Sequence, residues 1–494
     1  MTQLWRRRAL RRIAPSGGIF ASERGRPHLD GKKWYNRAMQ VKKLRIVRSK
    51  EHERLFRALE SSRVPGDLGR PVFGHTLDFL LRTQPLMDDL RAKHGPNFRL
   101  HLAGRPVVII GGPDAVREVL LDRDKNFSSE LGWKKSIGKL FARGLMLKDF
   151  DEHRADRRLM QMAFRNEAMR GYVDTMTAHI NTAVGNWPRE LKLYPALKQL
   201  TLDMASSIFL GLALGPESKA VDEAFVAAVN ASIALVRSEL PVFAYGRGMR
   251  GRRTLERFFA TLIVERRKNP GADLLSELCR AKSEDGERFS DREISDHMIF
   301  LMMAAHDTTT SAMSSLVHLL LENPEWQERA REEVLARGPA PISWDDRSAL
   351  PVLDRCFDEA IRLFPPVPYT SRQSLRDCTL AGFEIPADVL IAPAALVTHR
   401  LPEFWSSPDR FDPDRFSPER AEHTKHTHVY FPFGGGAHVC IGLHFARIQV
   451  KAVMHELLGR YRVVNPRGPR RPRSFKSVPM ACPTDGLPVA LERL

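Results

Sequence analysis

The sequence predicts a mostly helical α+β protein with small β-sheets gathered at one side, built as one large domain. Three observations predict it. From about Pro113 to Arg337 the apolar pattern is almost continuously helical. Runs of β type fall in two patches, near 97–112 and 369–397, each punctuated by turn residues. No internal repeat or low-complexity tract divides the 494 residues, and the 33 prolines and 32 glycines are spread along them.

Taken in order, the first element is charge. The chain carries a formal +18, and residues 1–70 hold 19 Lys/Arg against 6 Asp/Glu, so most of the surplus is N-terminal. "MTQLWRRRALRRIAPSGG" is Arg-rich and acid-poor but lacks the apolar core of a secretory signal. Residues 1–63 therefore read as a basic, partly disordered extension, or as the product of an early start upstream of Met39. A basic arm for an anionic membrane or nucleic acid, and an address signal, are the alternatives. With the surplus confined there, no nucleic-acid partner is expected. The Pro/Gly-rich stretch Ser61 to His75 reads as the entry to a compact body, 64–494.

Next, "NFRLHLAGRPVVIIGG" gives two β runs split by Ala103-Gly104, a hairpin signal. Within the helical stretch one element stands out. Ser290 to Glu293 forms a capping box and Asn323-Pro324 stops the run, which predicts a helix of about 33 residues, roughly 50 Å long. Its middle, "MIFLMMAAHDTTTSAM", is apolar nearly all round and so buried. Asp307 and Thr308 to Thr310 interrupt it, and a buried acid is costly unless paired or useful. A Pro-rich loop fills 402–427, a helix is expected from about Cys440 to Tyr461, and short strands close the chain. The histidines in "EHTKHTHVYF" (His423, His426, His428) read as a solvated linker rather than a metal site.

Five scattered cysteines with no CxxC pair exclude a disulfide framework and the strongest zinc and iron–sulfur signals, and fit a reducing, cytoplasmic setting. The longest apolar run near a candidate site, Met298 to Ala305, is far short of a membrane span. One cysteine is conspicuous. In "FPFGGGAHVCIG", Phe433 and Gly436 precede Cys440 by seven and four residues, and Gly442 follows. Glycines at 434 to 436 suit close approach of backbone to a flat ligand, and a helix N-terminus favours a thiolate. A buried structural cysteine, a phosphate loop without its Lys-Ser/Thr, and a zinc site from His438, Cys440 and His444 lacking a fourth ligand are the competing readings.

This turn resembles the haem-ligand loop of cytochromes P-450, and three further motifs share the resemblance in the family's order. Glu359-Ala360-Ile361-Arg362 resembles its ExxR element. Pro413-Asp414-Arg415-Phe416 resembles its PERF-type loop, with Asp as the acid. Ala304 to Thr309 resembles the (A/G)GxDT(T/S) element, departing from it at Ala305 where glycine is usual. The match runs from about Val64 to the C-terminus.

The resemblance implies the cytochrome P-450 fold, with haem b between the long central helix and the cysteine-loop helix and Cys440 as the axial thiolate. It implies that Thr308 and Asp307 manage protons during O₂ activation, and that Glu359, Arg362 and Arg415 form a charge network for folding and haem loading. It also implies that His153, Arg157, Arg372 and His438 hold the haem propionates, His438 standing where Arg is common. His306 reads as a helix-lining residue. The implied activity is a haem-thiolate monooxygenase acting on an apolar steroid, terpenoid or fatty-acyl compound. The alternatives are a peroxide-using or rearranging haem-thiolate enzyme and a non-catalytic haem or lipid binder. No flavin or nicotinamide fingerprint or ferredoxin cysteine run occurs, so a separate ferredoxin and reductase are expected, docking near Arg447 and Lys451. The implied pocket lining is 132–146, 299–308, 367–370 and 477–482, including Leu145, Met146, Phe300, Met303, Val367, Val478 and Met480.

Overall fold

The structure is a computed structural model that describes residues 50–70, 74–212, 216–232, 234, 236–466, 468, 475–478 and 480–493. The expectations for residues 1–49 lie outside them.

Helices dominate, as the periodicity requires. The capping box is present, with Ser290 accepting from the Glu293 N–H and Glu293 from the Ser290 N–H. It opens an unbroken α-helix, Asp291–Glu322, of 32 residues, about 48 Å long. Its C-cap is Asn323, and Pro324 at the first position of the next helix, Pro324–Arg337, prevents continuation. No widened turn interrupts it at the threonines. Three shorter helices position the site around it: Phe150–Gln161, Leu193–Leu210 and Pro351–Leu363. A fourth, Leu443–Arg460, starts later than the sequence suggests, with Gly442 as N-cap, so Cys440 precedes the helix by three residues.

Among the described residues the strands fall into four sheets. The largest has the order β1-β2-β8-β5-β3, from Asn97–Leu102, Arg105–Ile110, Leu390–Pro393, Arg372–Ser374 and Phe127–Ser128. β1 and β2 pair antiparallel from Asn97↔Ile110 to Leu102↔Arg105. Their two-residue loop, Ala103 and Gly104, takes positive φ at both positions, as tight hairpins require. β2 and β8 run parallel and join the two β patches of the sequence. Around it lie β4 (Glu190–Lys192), which pairs with β12 (Pro488–Arg493), itself paired with β9 (Tyr461–Val464). Two hairpins complete the set, β6 (Cys378–Leu380) with β7 (Phe383–Ile385) and β10 (Phe475–Lys476) with β11 (Cys482–Pro483).

One boundary moves. Residues 50–63 are not an extension, because the helix Lys50–Ser61 buries Leu55 and Leu59 in the same apolar cluster as Val108 and Ile110 of β2. The histidine loop is also more packed than a solvated linker. The His423 ring lies 5.1 Å from that of Phe416, and His426 Nε2 meets Asp114 at 3.2 Å. Among the described residues no group of three or more His, Cys, Asp or Glu could hold a metal, and no helix is long and apolar enough to cross a membrane.

Candidate functional site

The cysteine loop folds on itself through Gly434 N–H to Phe431 O and Cys440 N–H to Phe433 O, both 2.9 Å. Its glycines serve different ends. Gly436 has φ +61, and a Cβ there would lie 1.9 Å from the Leu120 carbonyl oxygen, so this glycine answers to protein packing rather than to a ligand. A Cβ at Gly442 would meet nothing nearer than Cys440 Sγ at 3.9 Å, so packing within the described residues does not require that glycine.

Cys440 is the exposed cysteine, yet its surface opens on a cavity rather than on bulk solvent. Burial by its surroundings pushes the thiol up, while the Gly442 N–H and Arg157 pull it back toward the thiolate. The cavity has a volume of ≈ 270 Å³, and apolar side chains dominate its lining. Leu145, Met146, Phe300 and Val367 line it, as does Phe433. Met303, Val478 and Met480 do not: Met303 packs on the main core, and Val478 belongs to a separate apolar cluster under β1 and β2. Position 479 lies outside the described residues.

Three bases, His153, Arg157 and His438, line this cavity, and Arg372, which does not line it, is near enough to act on both histidines. The helix Phe150–Gln161 puts His153 and Arg157 on one face at i, i+4. The His153 ring lies tilted against that of His438, 3.9 Å between centroids, and Arg157 Nη1 donates to the Val439 carbonyl at 2.6 Å. Arg372, on β5, is 4% exposed, and its Nη1 donates to the Ser371 carbonyl. Burial pushes all four down, and repulsion adds to it at the two histidines: His153 to about 4, with Arg157 and Arg372 as repelling charges, and His438 to about 2, with Arg372, His153 and Arg157. Burial lowers Arg372 to about 10 and also lowers Arg157. Two arginines and two histidines held neutral, beside a thiol and an apolar slot, suit a flat apolar group that carries carboxylates. The residues present therefore fit haem b, with Cys440 toward the metal and the bases toward the propionates.

Thr308 borders the cavity, and its Oγ1 donates to the Ala304 carbonyl at 2.6 Å, a back-bond within the helix. Thr309 borders it too, although helical spacing alone turns it away. Thr310 faces the neighbouring helix and meets Thr201 at 2.7 Å. Asp307 is buried, with Lys198 Nζ at 3.0 Å and His306 Nδ1 at 3.3 Å. His306 does not reach the cavity lining.

Behind the cysteine loop lies the charge network. Arg362 grips Glu359 with two bonds, 2.6 and 2.8 Å, and Arg415 Nε reaches the same carboxylate at 3.0 Å. All three side chains are fully buried. A fourth member, Glu422, went unread because it lies in a polar loop far from Glu359 in sequence. It accepts from Arg415 at 2.8 Å and from Arg420 at 2.7 Å. Burial alone would raise its carboxyl, but bonds from Ser406 and Arg420 and the Arg415 charge hold it down at about 2. Arg362 also donates to the His399 carbonyl, and His399 Nε2 meets the Phe431 N–H at 3.1 Å. Burial and Arg362 hold His399 far down, at about 3, so it stays neutral and can accept that bond. The network thus reaches the start of the cysteine loop through one histidine.

The expected docking cations are a correction. Lys451 is 2% exposed, and its Nζ is held by the carbonyls of Asp346, Arg347 and Ala349 and by Asp354. Arg447 pairs with Asp358. On a short helix the polar side of the sequence does not say which side another element covers.

Residues 64–487 match the family model described as Cytochrome P450. A relative in Mycobacterium tuberculosis, "Putative cytochrome P450 136", is 39% identical over 87% of this chain and 88% of its own length. Human "Cytochrome P450 26B1" is 30% identical over 86% of this chain and 85% of its own. Among solved structures, "Retinoic acid bound cyanobacterial CYP120A1" superposes with a TM-score of 0.79 at 28% identity, covering 87% of this chain and 99% of that one. The cysteine loop, the cavity and the fold around them thus carry one assignment: the chain belongs to the cytochrome P450 family, haem-thiolate monooxygenases that bind haem b through a cysteine.

Proposed function

We propose that this protein inserts one oxygen atom from O₂ into an extended apolar substrate of steroid, terpenoid or fatty-acyl type, with electrons from a separate ferredoxin and reductase. The observation that carries the reading is a cavity bordered at once by the Cys440 thiol, the Thr308 hydroxyl, the bases His153, Arg157 and His438, and a mostly apolar wall. When bound, haem supplies the oxygen-activating chemistry, and the protein supplies placement and protons.

Cys440 gives its thiolate to the metal, a charge that the Gly442 N–H and Arg157 favour. His153, Arg157, Arg372 and His438 hold the carboxylates, and the fork of Arg suits that task best. Phe433 and Gly436 shape the loop that presents Cys440. Thr308 positions a proton donor over the cavity, with Asp307 as its supply. Leu145, Met146, Phe300 and Val367 exclude water and hold the substrate. Glu359, Arg362 and Arg415 keep the loop in place for haem loading. The electron carrier is proposed on the family resemblance alone, since Arg447 and Lys451 are both engaged and mark no docking site for it.

Because one structural neighbour was solved with retinoic acid, that compound heads the test set, beside a sterol and lauric acid. Each is titrated into the ferric holoenzyme while the Soret band is followed. A saturable shift with at least one is expected, and a flat response to all three overturns the apolar-substrate reading.

A further inference from the structure

The helix Phe150–Gln161, which carries His153 and Arg157, is held from behind by a carboxylate of its own. Asp156 is buried, accepts from His297 Nε2 of the central helix at 2.8 Å, and pairs through the same oxygen with Lys148 Nζ. Burial alone would raise its carboxyl, but bonds from His297 and Lys148 hold it below the ordinary value, so it serves both as an ionised acceptor. His297 is fully buried, tilted against the Phe289 ring at 4.9 Å between centroids. Its Nδ1 has no hydrogen-bond partner among the described residues, so the bond to Asp156 is the polar contact its ring makes there. Lys148 is 1% exposed, and its Nζ also lies 3.3 Å from Glu152. It follows the turn Leu145–Leu147, whose Leu145 borders the cavity. One carboxylate thus ties together the turn, the base-bearing helix and the central helix. Lys148, Asp156 and His297 do not border the cavity themselves, so any effect they have on it passes through other residues.

We propose that Asp156 is a positioning residue for the cofactor: by gripping Lys148 and His297 it fixes the roll of its helix, so that His153 and Arg157 meet the haem carboxylates together. The inference rests on the reading of those two bases given above. Around the helix Asp156 lies about 60° from His153 and about 100° from Arg157, so a roll that frees it turns both bases off the slot. The same bases touch the cysteine loop, Arg157 at the Val439 carbonyl and His153 at the His438 ring, so the roll also sets how the helix meets that loop. Packing alone does not call for such a pair, because apolar side chains of equal volume are often as stable; what the ions add is direction.

The test follows haem loss from the full-length ferric holoenzyme to excess apomyoglobin, read as the rate of the absorbance change. Asp156→Asn is expected to speed that loss about tenfold, the lower end of the 10–100-fold effect of groups that orient the residues around a metal. His297→Leu should act in the same direction, and His297→Gln, which keeps a donor for Asp156, should stay near the wild-type rate. If Asp156→Asn does not load haem, His297→Leu carries the test. The decisive measurement repeats the change in two backgrounds. With Arg157→Gln already present, Asp156→Asn should add little, because it acts through that base. With Arg372→Gln present it should add its full factor, because Arg372 stands on β5 and not on this helix. Equal multiplication in both backgrounds would overturn the proposal and leave a general structural ion pair. Wild-type rates in both Asp156→Asn and His297→Leu would overturn it as well. An unaltered rate in Arg157→Gln alone would instead remove the carboxylate-binding reading on which it stands.

Discussion

At the scale of single residues, chemistry here depends on which atom faces the cavity. Cys440→Ser should fold, yet lose the reduced-CO absorption band that marks thiolate ligation in this family, because a hydroxyl stays protonated where a thiol ionises. Persistence of the band in a difference spectrum would sink the ligand assignment. The threonines allow a finer test. Thr308→Ala should keep haem and fold but release more peroxide per NADPH, within the 10²–10⁴-fold scale of positioned proton transfer. Thr309 also borders the cavity, so Thr309→Ala is the necessary control. Loss of coupling in Thr309→Ala alone would place the functional hydroxyl one residue later, and loss in neither would leave Thr308 only its back-bond to Ala304. The motif was legible in the sequence because it is local. That Thr309 shares the cavity was not, since this depends on how the helix is rolled against its neighbours.

At the scale of elements, the charge network shows what spacing reveals and what it hides. Glu359 and Arg362 sit one helical turn apart and announce themselves, whereas Glu422 joins through Arg415 across 63 positions of chain. Removing one member of so buried a set leaves the others uncompensated, at a cost on the order of 3–5 kcal/mol. Glu422 adds a pH signature. Its carboxyl is lowered from 4.5 to about 2 on folding, so its stabilisation is complete above about pH 4.5 and disappears as pH falls toward 2. Glu422→Gln should thus be less stable than wild type at neutral pH, with the difference in melting temperature closing across that window. A gap that stays constant down to pH 2 would show that the lost term is packing rather than charge. Likewise the late start of the helix Leu443–Arg460 was hidden, because glycine at 442 permits either a first turn or a cap.

For the whole molecule, the architecture followed from long-range consistency: a central helix with both ends marked, two β patches that one sheet unites, and no competing signal between them. The N-terminal boundary did not follow, because "KEHERLFRALES" is mostly charged and its two buried leucines are only visible against β2. This separates two truncations. Deleting residues 1–38 should leave the haem spectrum and melting temperature unchanged, as a basic stretch without an apolar face adds little to a core. Deleting 1–61 removes Leu55 and Leu59 together and should destabilise the protein strongly, since even a Leu→Ala change at such a site costs about 2–5 kcal/mol. Equal melting temperatures for the two truncations would return the boundary to residue 64.

The captive amine of Lys451 has a practical consequence. A primary amine enclosed by three carbonyls and a carboxylate cannot meet an acylating reagent until the segments bearing Asp346, Ala349 and Asp354 part from its own helix. Surface lysines such as Lys134 and Lys139, by contrast, stand open in the native state. In a pulse of amine-reactive ester followed by peptide mass mapping, Lys451 should therefore stay unmodified while its surface counterparts react within the first time point. Its modification should begin only at the denaturant concentration where the fold itself is lost. The chain thus carries its own internal clock for global opening, readable without a cofactor, a substrate or a redox partner.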